Sequence, residues 1–172
     1  MESSRPLVQW TFALNFALGG LNPFGYHLVN LAIHLAAGLV LMDVLRRTLA
    51  GLRVHWGGDR AASWLSFVTA LVWLVHPVTT HSVTYVSQRA ESLMALCALL
   101  TLWCARRRAR AWELAAVLAC LCGMLSKPVM VPVPVLVWLY DGIFLFDSYR
   151  EAWRARRRFY AGLGATWFVL AF

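Results

Sequence analysis

Residues 76–91, with the sequence HPVTTHSVTYVSQRAE, concentrate side chains that can bind a ligand, and they lie between two apolar runs. The segment holds two histidines, five Ser or Thr hydroxyl groups, a tyrosine, a glutamine, an arginine and a carboxylate. These groups donate and accept hydrogen bonds, and three of the residue types can carry charge. The composition of this segment makes it the candidate functional centre of the chain.

A helix that begins near residue 78 gives this segment two different faces. One face carries the polar side chains His81, Tyr85, Gln88 and Arg89. The other carries apolar side chains that continue into the next apolar run. Polar groups at the edge of a membrane span either bond to neighbouring helices or face a substrate, and the sequence is consistent with both roles.

The composition is that of an integral membrane protein: 60% of the residues are hydrophobic, 14% are charged, and the mean hydropathy is +0.62. We therefore expect an all-α, polytopic fold with a single membrane domain over residues 1–172. Five apolar runs are interpreted as complete transmembrane helices, at residues 27–45, 61–75, about 82–105, 112–125 and 129–146. A partial sixth helix is expected from about residue 160 to residue 172.

The distribution of positive charge predicts the topology. Thirteen of the sixteen Lys and Arg residues fall in every second connection, at residues 46–60, 106–110 and 150–158. Because cytoplasmic loops of membrane proteins are rich in Lys and Arg, these three connections are assigned to the cytoplasm. The net charge of +8 therefore reflects membrane orientation and contact with the lipid bilayer, not nucleic-acid binding.

The opposite, extracytoplasmic surface receives the three remaining cations together with several other polar groups. The side chains expected at or near it are Arg5, His27, His76, His81, Arg89, Glu91 and Lys127. Since arginine and lysine bind phosphate well, a lipid-linked phosphate or pyrophosphate is the anion that fits this surface. Our hypothesis is that Arg89 and Lys127 hold the phosphate while His81, Tyr85 and Gln88 line the same pocket. The structural alternative is that Arg89 pairs with Glu91 or with a carboxylate of another helix.

Residues that could bind a metal are sparse. His27, Asn30 and His34 share one helix face, but no carboxylate accompanies them, which favours interhelical hydrogen bonds or contact with a polar cavity over a metal site. The ligand spacing does not indicate a divalent metal. All four cysteines, at positions 97, 104, 120 and 122, lie in expected spans without a metal-type CxxC spacing, so packing roles are expected.

Three further features shape the expected fold. Residues 5–21 have apolar side chains at spacings of three and four, which predicts an amphipathic helix in the outer membrane interface. Pro128, Pro132 and Pro134 interrupt the fifth span, which predicts an outward-facing cavity near Lys127. Asp141, near the inner end of that span, is expected to reach the cytoplasmic interface.

Three stretches carry a family resemblance: RPLVQWTFALNFALGGLNPFGYHLVNLAIH, HPVTTHSVTYVSQRAESL and LSKPVMVPVPVLVWLYD. In these stretches the chain resembles the multi-spanning C superfamily of glycosyltransferases, in particular the transmembrane-and-tetratricopeptide O-mannosyltransferases and their bacterial relatives. The resemblance implies a helical membrane enzyme of the bacterial inner membrane or endoplasmic reticulum. It implies transfer of a sugar from a polyprenyl-phosphate donor to a hydroxyl group of a protein or glycan acceptor on the extracytoplasmic side.

The chain also departs from the family pattern. The acidic pair of the family lies upstream of the RPL motif, and the tetratricopeptide repeats that often follow the membrane region have no counterpart here. His81 stands where many members have Glu or Gln, and Pro128 where some have Glu. We therefore expect a fragment of such an enzyme without its general base. The alternatives are a non-catalytic scaffold or accessory protein, or a piece of a transporter, although a transporter favours paired broken helices and this sequence has one.

The topology is testable by cysteine-accessibility labelling. In intact cells, a membrane-impermeant thiol reagent should label Thr79→Cys and Lys127→Cys from outside, whereas Arg108→Cys should be labelled only after permeabilisation. The reverse pattern would refute the assigned orientation.

Overall fold

The computed structural model describes residues 5–52 and 58–171, and within these ranges the secondary structure is entirely helical, which confirms the all-α part of the expected fold class. The described residues form eight α-helices: α1 (Pro6–Gly19), α2 (Pro23–Gly51), α3 (Gly58–Val75), α4 (Pro77–Thr84), α5 (Arg89–Ala105), α6 (Arg110–Ser126), α7 (Val133–Phe144) and α8 (Tyr149–Ala165). Short 3-10 segments follow α4, α6 and α8, at Val86–Gln88, Pro128–Met130 and Thr166–Ala171. Arg53 of the first basic connection and Phe172 of the expected sixth span lie outside the described residues.

Local sequence signals set the helix starts. A proline occupies the first turn of α1, α2 and α4, where its missing N–H group costs no helical hydrogen bond. Asn22 caps α2 by accepting a hydrogen bond from the Phe24 N–H at 3.1 Å. His76 Nδ1 accepts from the Val78 N–H at 3.2 Å and caps α4 in the same way.

Helix α5 packs against both α2 and α6, α3 packs on α2, and α7 packs on α8. The main core lies between α5, α6, α7 and α8 and includes Cys97, Cys104, Cys120, Met124, Met130, Val137, Phe159 and Leu163. Gly123 permits one close approach in this core, because a Cβ atom at this position would lie 2.6 Å from the Met130 side chain. The proline-containing segment can therefore press against α6.

The surface of the molecule is unusually apolar, and polar groups lie inside. In α1, Trp10 and Leu18 are 76% and 81% exposed, whereas Asn15 is buried. In α2, Leu35 and Leu39 are exposed, whereas Asn30 and His34 are buried. An exposed apolar surface of this extent is typical of a protein that contacts a membrane or a partner, since soluble monomers rarely expose large apolar patches.

Among the described residues, α2 is long and apolar enough to cross a membrane by itself. Helices α3 and α4 reach that length together, with a bend of 56° between them. The five complete spans expected from the sequence are thus not matched by five helices of spanning length. Helices α5 and α6 have 17 residues each and α7 has 12, and a helix of 17 residues is about 26 Å long, against about 30 Å of hydrocarbon.

The expectation of one continuous helix from residue 78 through residue 105 is wrong. Helix α4 ends at Thr84, Tyr85 is extended with φ −99° and ψ 114°, and α5 begins only at Arg89 after a 3-10 turn. The expected break at the prolines is found: the 3-10 segment Pro128–Met130 precedes α7. Both interruptions lie beside polar residues that the sequence singles out.

Asp141 does not reach an interface, contrary to expectation. Its side chain is fully buried and accepts hydrogen bonds from Arg156 Nη1 at 2.5 Å and from the Tyr160 hydroxyl at 2.6 Å. Arg156 also donates to Glu113 Oε1 at 2.9 Å and to the Ala105 carbonyl at 2.9 Å. One arginine of the third basic cluster therefore ties α5, α6 and α7 to α8.

We predict that Arg156→Gln lowers the free energy of unfolding by about 3 to 5 kcal/mol, because the buried Asp141 carboxylate loses its counter-charge. Arg157→Gln is the matched control, since Arg157 is exposed in the same helix and its loss should cost less than about 0.5 kcal/mol. Denaturant unfolding in detergent micelles measures both values. Equal effects of the two substitutions would contradict the structural role of Arg156.

Candidate functional site

A cavity of about 550 Å³ opens where α2, the end of α3, α4 and α5 meet. Its wall is formed by His34, Ala37, Trp73, Val78, Thr79, His81, Ser82, Gln88, Glu91, Ser92, Met94 and Ala95. An apolar wall with a few convergent polar groups, enclosing several hundred Å³, is typical of sites for small ligands. This cavity is the candidate functional site.

Four of the residues singled out in the sequence line the cavity: His34, His81, Gln88 and Glu91. His81 is exposed and stacks on Tyr85 with ring centroids 5.4 Å apart. Tyr85 is itself 57% exposed and lies outside the cavity wall. The break after Thr84 separates α4, which carries His81, from Gln88 and Glu91 at the start of α5, so the two chain segments form different sides of one cavity.

Other singled-out residues hold the backbone around the site, and of these His34 also belongs to the cavity wall. His27 Nδ1 donates to the Val83 carbonyl at 3.1 Å, and Asn30 Nδ2 donates to the Ser82 carbonyl at 3.4 Å. His34 Nε2 lies 2.9 Å from the Leu74 carbonyl. The three side chains on one face of α2 therefore fasten α4 and the end of α3, which agrees with interhelical hydrogen bonding. His76 serves as the cap of α4, and Arg5 is exposed just before α1.

Arg89 is enclosed by neutral acceptors. Its side chain is fully buried and donates four hydrogen bonds: Nε to Asn30 Oδ1 at 2.7 Å, Nη1 to Asn15 Oδ1 at 2.7 Å, Nη1 to the Thr11 carbonyl at 3.2 Å and Nη2 to the Tyr26 carbonyl at 3.1 Å. The guanidinium carbon also lies 4.4 Å from the Phe12 ring centroid. A buried charge needs such partners, because an unpaired one is very costly.

This environment corrects the sequence-based picture of Arg89. The guanidinium group joins α1, α2 and α5, and it neither lines the cavity nor shares a face with Gln88. The alternative of a carboxylate partner is also wrong, since the four acceptors are amide and backbone oxygens. In this arrangement Arg89 positions the start of α5, and therefore Gln88 and Glu91, against α2.

Lys127 pairs with Glu91. The Lys127 Nζ atom forms a salt bridge to Glu91 Oε1, with side-chain exposures of 22% and 40%. Lys127 is the C-terminal cap of α6 and has an extended backbone, and Glu91 lies in the first turn of α5. The pair therefore joins the proline-broken region to the cavity, although Lys127 itself is not part of the cavity wall.

Sequence reasoning missed the acceptors of Arg89 and the partners of Asp141. Asn15 and Asn30 are amides that lie between apolar residues of α1 and α2, and such a pattern is a usable signal for a buried polar contact. The cysteines behave as expected for packing residues, since Cys97, Cys104 and Cys120 are buried. In the part of the chain that the structure describes, no three His, Cys, Asp or Glu side chains form a group that could hold a metal ion.

We predict that Arg89→Gln destabilises the fold by about 3 kcal/mol or more, because several buried acceptors lose their donors at once. Arg89→Lys should recover little of this loss, since a single ammonium group cannot reach acceptors on three helices. Unfolding in detergent micelles measures the effect, with the exposed Arg110→Gln as control. An Arg89→Gln variant as stable as the Arg110→Gln variant would refute the role of the guanidinium group as a clamp.

Comparison with known proteins identifies relatives of this chain by sequence. No protein-family model matches the chain, and no solved structure matches it. Protein O-mannosyl-transferase TMTC2 of Homo sapiens is 34% identical over 154 residues, which cover 84% of this chain and 17% of the relative. Protein O-mannosyl-transferase Tmtc3 of Drosophila melanogaster is 41% identical over 107 residues, which cover 56% of this chain and 11% of the relative.

Protein O-mannosyl-transferase TMTC4 of Mus musculus is 38% identical over 103 residues, covering 58% of this chain and 14% of the relative. The chain thus spans less than one fifth of the length of these curated relatives. Identity of 34% sustained across most of the chain extends well beyond a short motif. The chain is therefore homologous to one segment of the TMTC protein O-mannosyl-transferases.

Proposed function

We propose that this chain is part of a membrane glycosyltransferase that transfers a sugar from a polyprenyl-phosphate-linked donor to an acceptor hydroxyl group on the extracytoplasmic side. The sugar is a hexose, with mannose favoured, and the acceptor is a protein or a glycan. Homology supports the reaction class, because the matched relatives are named protein O-mannosyl-transferases. The donor, the acceptor and the membrane side are part of the proposal.

The observation that carries the proposal is the cavity between α2, α3, α4 and α5. Its wall places His81, Gln88 and Glu91 near apolar groups such as Trp73 and Met94. The volume of about 550 Å³ suits a sugar phosphate together with the first part of a lipid chain. Polar groups can bind sugar hydroxyl groups, and the apolar wall can accept the prenyl chain.

Lys127 is the cation that we assign to the donor phosphate. Its side chain is partly exposed and reaches Glu91 in the cavity wall. Arg89 is not assigned this role, because its guanidinium group is fully buried among protein acceptors. A lysine ammonium is a compact point charge on a flexible stem, which suits a phosphate that must later leave.

In the proposed reaction, the acceptor hydroxyl oxygen attacks C1 of the sugar and the bond between C1 and the phosphate oxygen breaks. The bonding electron pair leaves with the polyprenyl phosphate, and the hydroxyl proton passes to a base. Lys127 stabilises the negative charge that develops on the departing phosphate. The base is not assigned to a residue of this chain.

The proposal includes a multi-pass topology in the bacterial inner membrane or the endoplasmic reticulum. Helix α2 has spanning length, and the bent pair α3 and α4 reaches it together. Exposed apolar side chains on α1, α6 and α7, among them Leu14, Leu118 and Leu136, support contact of these helices with lipid. In this arrangement the short α5 and α6 cross a locally thinned bilayer or one completed by flanking residues.

A second candidate function is that of a non-catalytic scaffold or accessory protein. The observation that favours it is the internal pairing of the charged groups at the site: Arg89 and Lys127 both have protein partners. A scaffold needs these groups for stability only. The two functions therefore differ in whether Lys127 contributes to ligand binding.

We predict that Lys127→Ala weakens binding of a mannosyl-phosphoryl farnesol probe about 10-fold or more, since a hydrogen bond to a charged group contributes about 1.5 to 3 kcal/mol. Lys127→Arg should stay within about 3-fold of the wild type, because a positive charge is kept. Isothermal titration calorimetry of the probe into the protein in detergent micelles gives the dissociation constants.

The control for this experiment is Arg110→Ala, which removes an exposed cation at the opposite end of α6 and should leave probe affinity unchanged. Unchanged affinity of a folded Lys127→Ala protein would exclude the phosphate role of Lys127. Absence of probe binding by the folded wild type would favour the scaffold function.

A further inference from the structure

Glu91 is the one residue that belongs both to the cavity wall and to an ion pair among the described residues. Glu91 lines the cavity together with His81 and Gln88, and its Oε1 atom pairs with Lys127 Nζ. Its side chain is 40% exposed, and that of Lys127 is 22% exposed. Ion pairs with this degree of exposure are weak, because water screens the attraction and solvates each charge. A ligand can therefore compete for either partner.

The two partners can separate without a change of the helices. Lys127 lies in an extended stretch between α6 and the 3-10 turn at Pro128, and its backbone N–H is bonded to the Gly123 carbonyl at 3.0 Å. The backbone is thus held, and the exchange needs only rotation about the side-chain bonds of Lys127, whose side chain is partly exposed. Glu91 lies in the first turn of α5, where the helix dipole stabilises a carboxylate that has lost its cation.

We propose that Glu91 is a sugar-selecting residue. When a glycosyl phosphate diester binds, the Glu91 carboxylate releases Lys127 and binds the sugar in its place. Lys127 turns to the phosphate, and the released carboxylate accepts hydrogen bonds from sugar hydroxyl groups beside Gln88 and His81. This inference rests on the proposed function, and it adds the ligand group that each residue binds.

Charge and hydrogen-bond chemistry give the reason for the exchange. A phosphate that takes Lys127 meets an opposite charge, and the Glu91 carboxylate that this releases then needs other hydrogen-bond donors. Sugar hydroxyl groups are donors that lose water on entry and need acceptors. Among the described residues of the cavity wall, Glu91 is the only carboxylate, so it supplies the strongest acceptor for those hydroxyl groups.

The exchange predicts opposite effects of one substitution on two ligands. In Glu91→Gln, Lys127 has no internal counter-ion, so a diester without a sugar should bind more tightly. The same substitution replaces a charged acceptor by a neutral amide, so the advantage of a sugar-bearing diester should fall. A purely structural ion pair would produce neither effect.

The test uses two probes with the same single negative charge, farnesyl methyl phosphate and mannosyl farnesyl phosphate. Dissociation constants are measured by calorimetry for the whole chain in detergent micelles. Glu91→Gln should bind the methyl diester about 3- to 10-fold more tightly than the wild type does, because Lys127 is released. Its preference for the mannosyl diester over the methyl diester should fall by about 10-fold.

Two further variants sharpen the test. Glu151→Gln removes an exposed carboxylate of α8 and should change neither constant. Lys127→Gln removes the phosphate partner, so both diesters should bind about 10-fold more weakly or worse. If Glu91→Gln does not fold, Lys127→Gln still tests the exchange. Equal affinity of Lys127→Gln and the wild type for both probes would by itself overturn it.

The outcomes separate this inference from the function on which it rests. In the first outcome, the wild type binds both diesters, but Glu91→Gln either binds the methyl diester no more tightly or keeps the full preference for the mannosyl diester. The exchange is then wrong, while donor binding stands. If the folded wild type and every variant bind neither diester, the proposed function fails and the exchange fails with it.

Discussion

A fully buried guanidinium group in an apolar protein must be surrounded by acceptors, and the arrangement of α1, α2 and α5 satisfies that requirement for Arg89. Asn15, Asn30 and two backbone carbonyls accept its hydrogen bonds, and none of these four acceptors is a carboxylate. Because these four acceptors are neutral, the short hydrogen bonds and the Phe12 ring contribute to stabilising the positive charge. The start of α5, and with it one side of the cavity, depends on this cluster.

The two helix interruptions position the polar side chains of the site. At Tyr85 the chain leaves α4, and α5 begins only at Arg89, so that His81 and Glu91 line one cavity from two separate helices. At Pro128 the chain stops α6 and presents Lys127 from an extended backbone. Broken helices place polar side chains and free backbone groups where a continuous helix would place apolar ones, and they are tolerated at membrane depth where they line a cavity.

Some residues of the basic clusters pack inside the protein. Arg156 is buried with Asp141, Glu113 and Tyr160, and Arg107 lies between the Trp103 and Trp112 rings, 3.7 and 4.0 Å from their centroids. Arg154, Arg157 and Arg158 remain exposed in the same helix as Arg156. Charge counting assigns all of these residues the same role, but only some of them stabilise the packing of α5, α6, α7 and α8.

Composition, periodicity and the prolines predicted the all-α class, the interruption before α7 and the polar segment around His81, because these follow from local preferences and from short motifs. The sequence also pointed to Glu91 and Lys127, without pairing them. Tertiary structure decided that Arg89 is a buried clamp, that Asp141 is internal, and that the helix breaks at Tyr85. The physical reason is that packing between helices far apart in sequence determines which partner a buried polar side chain meets. Arg89, for example, bonds to Asn15 and Asn30 on two other helices. Periodicity along a single helix carries no information about such partners.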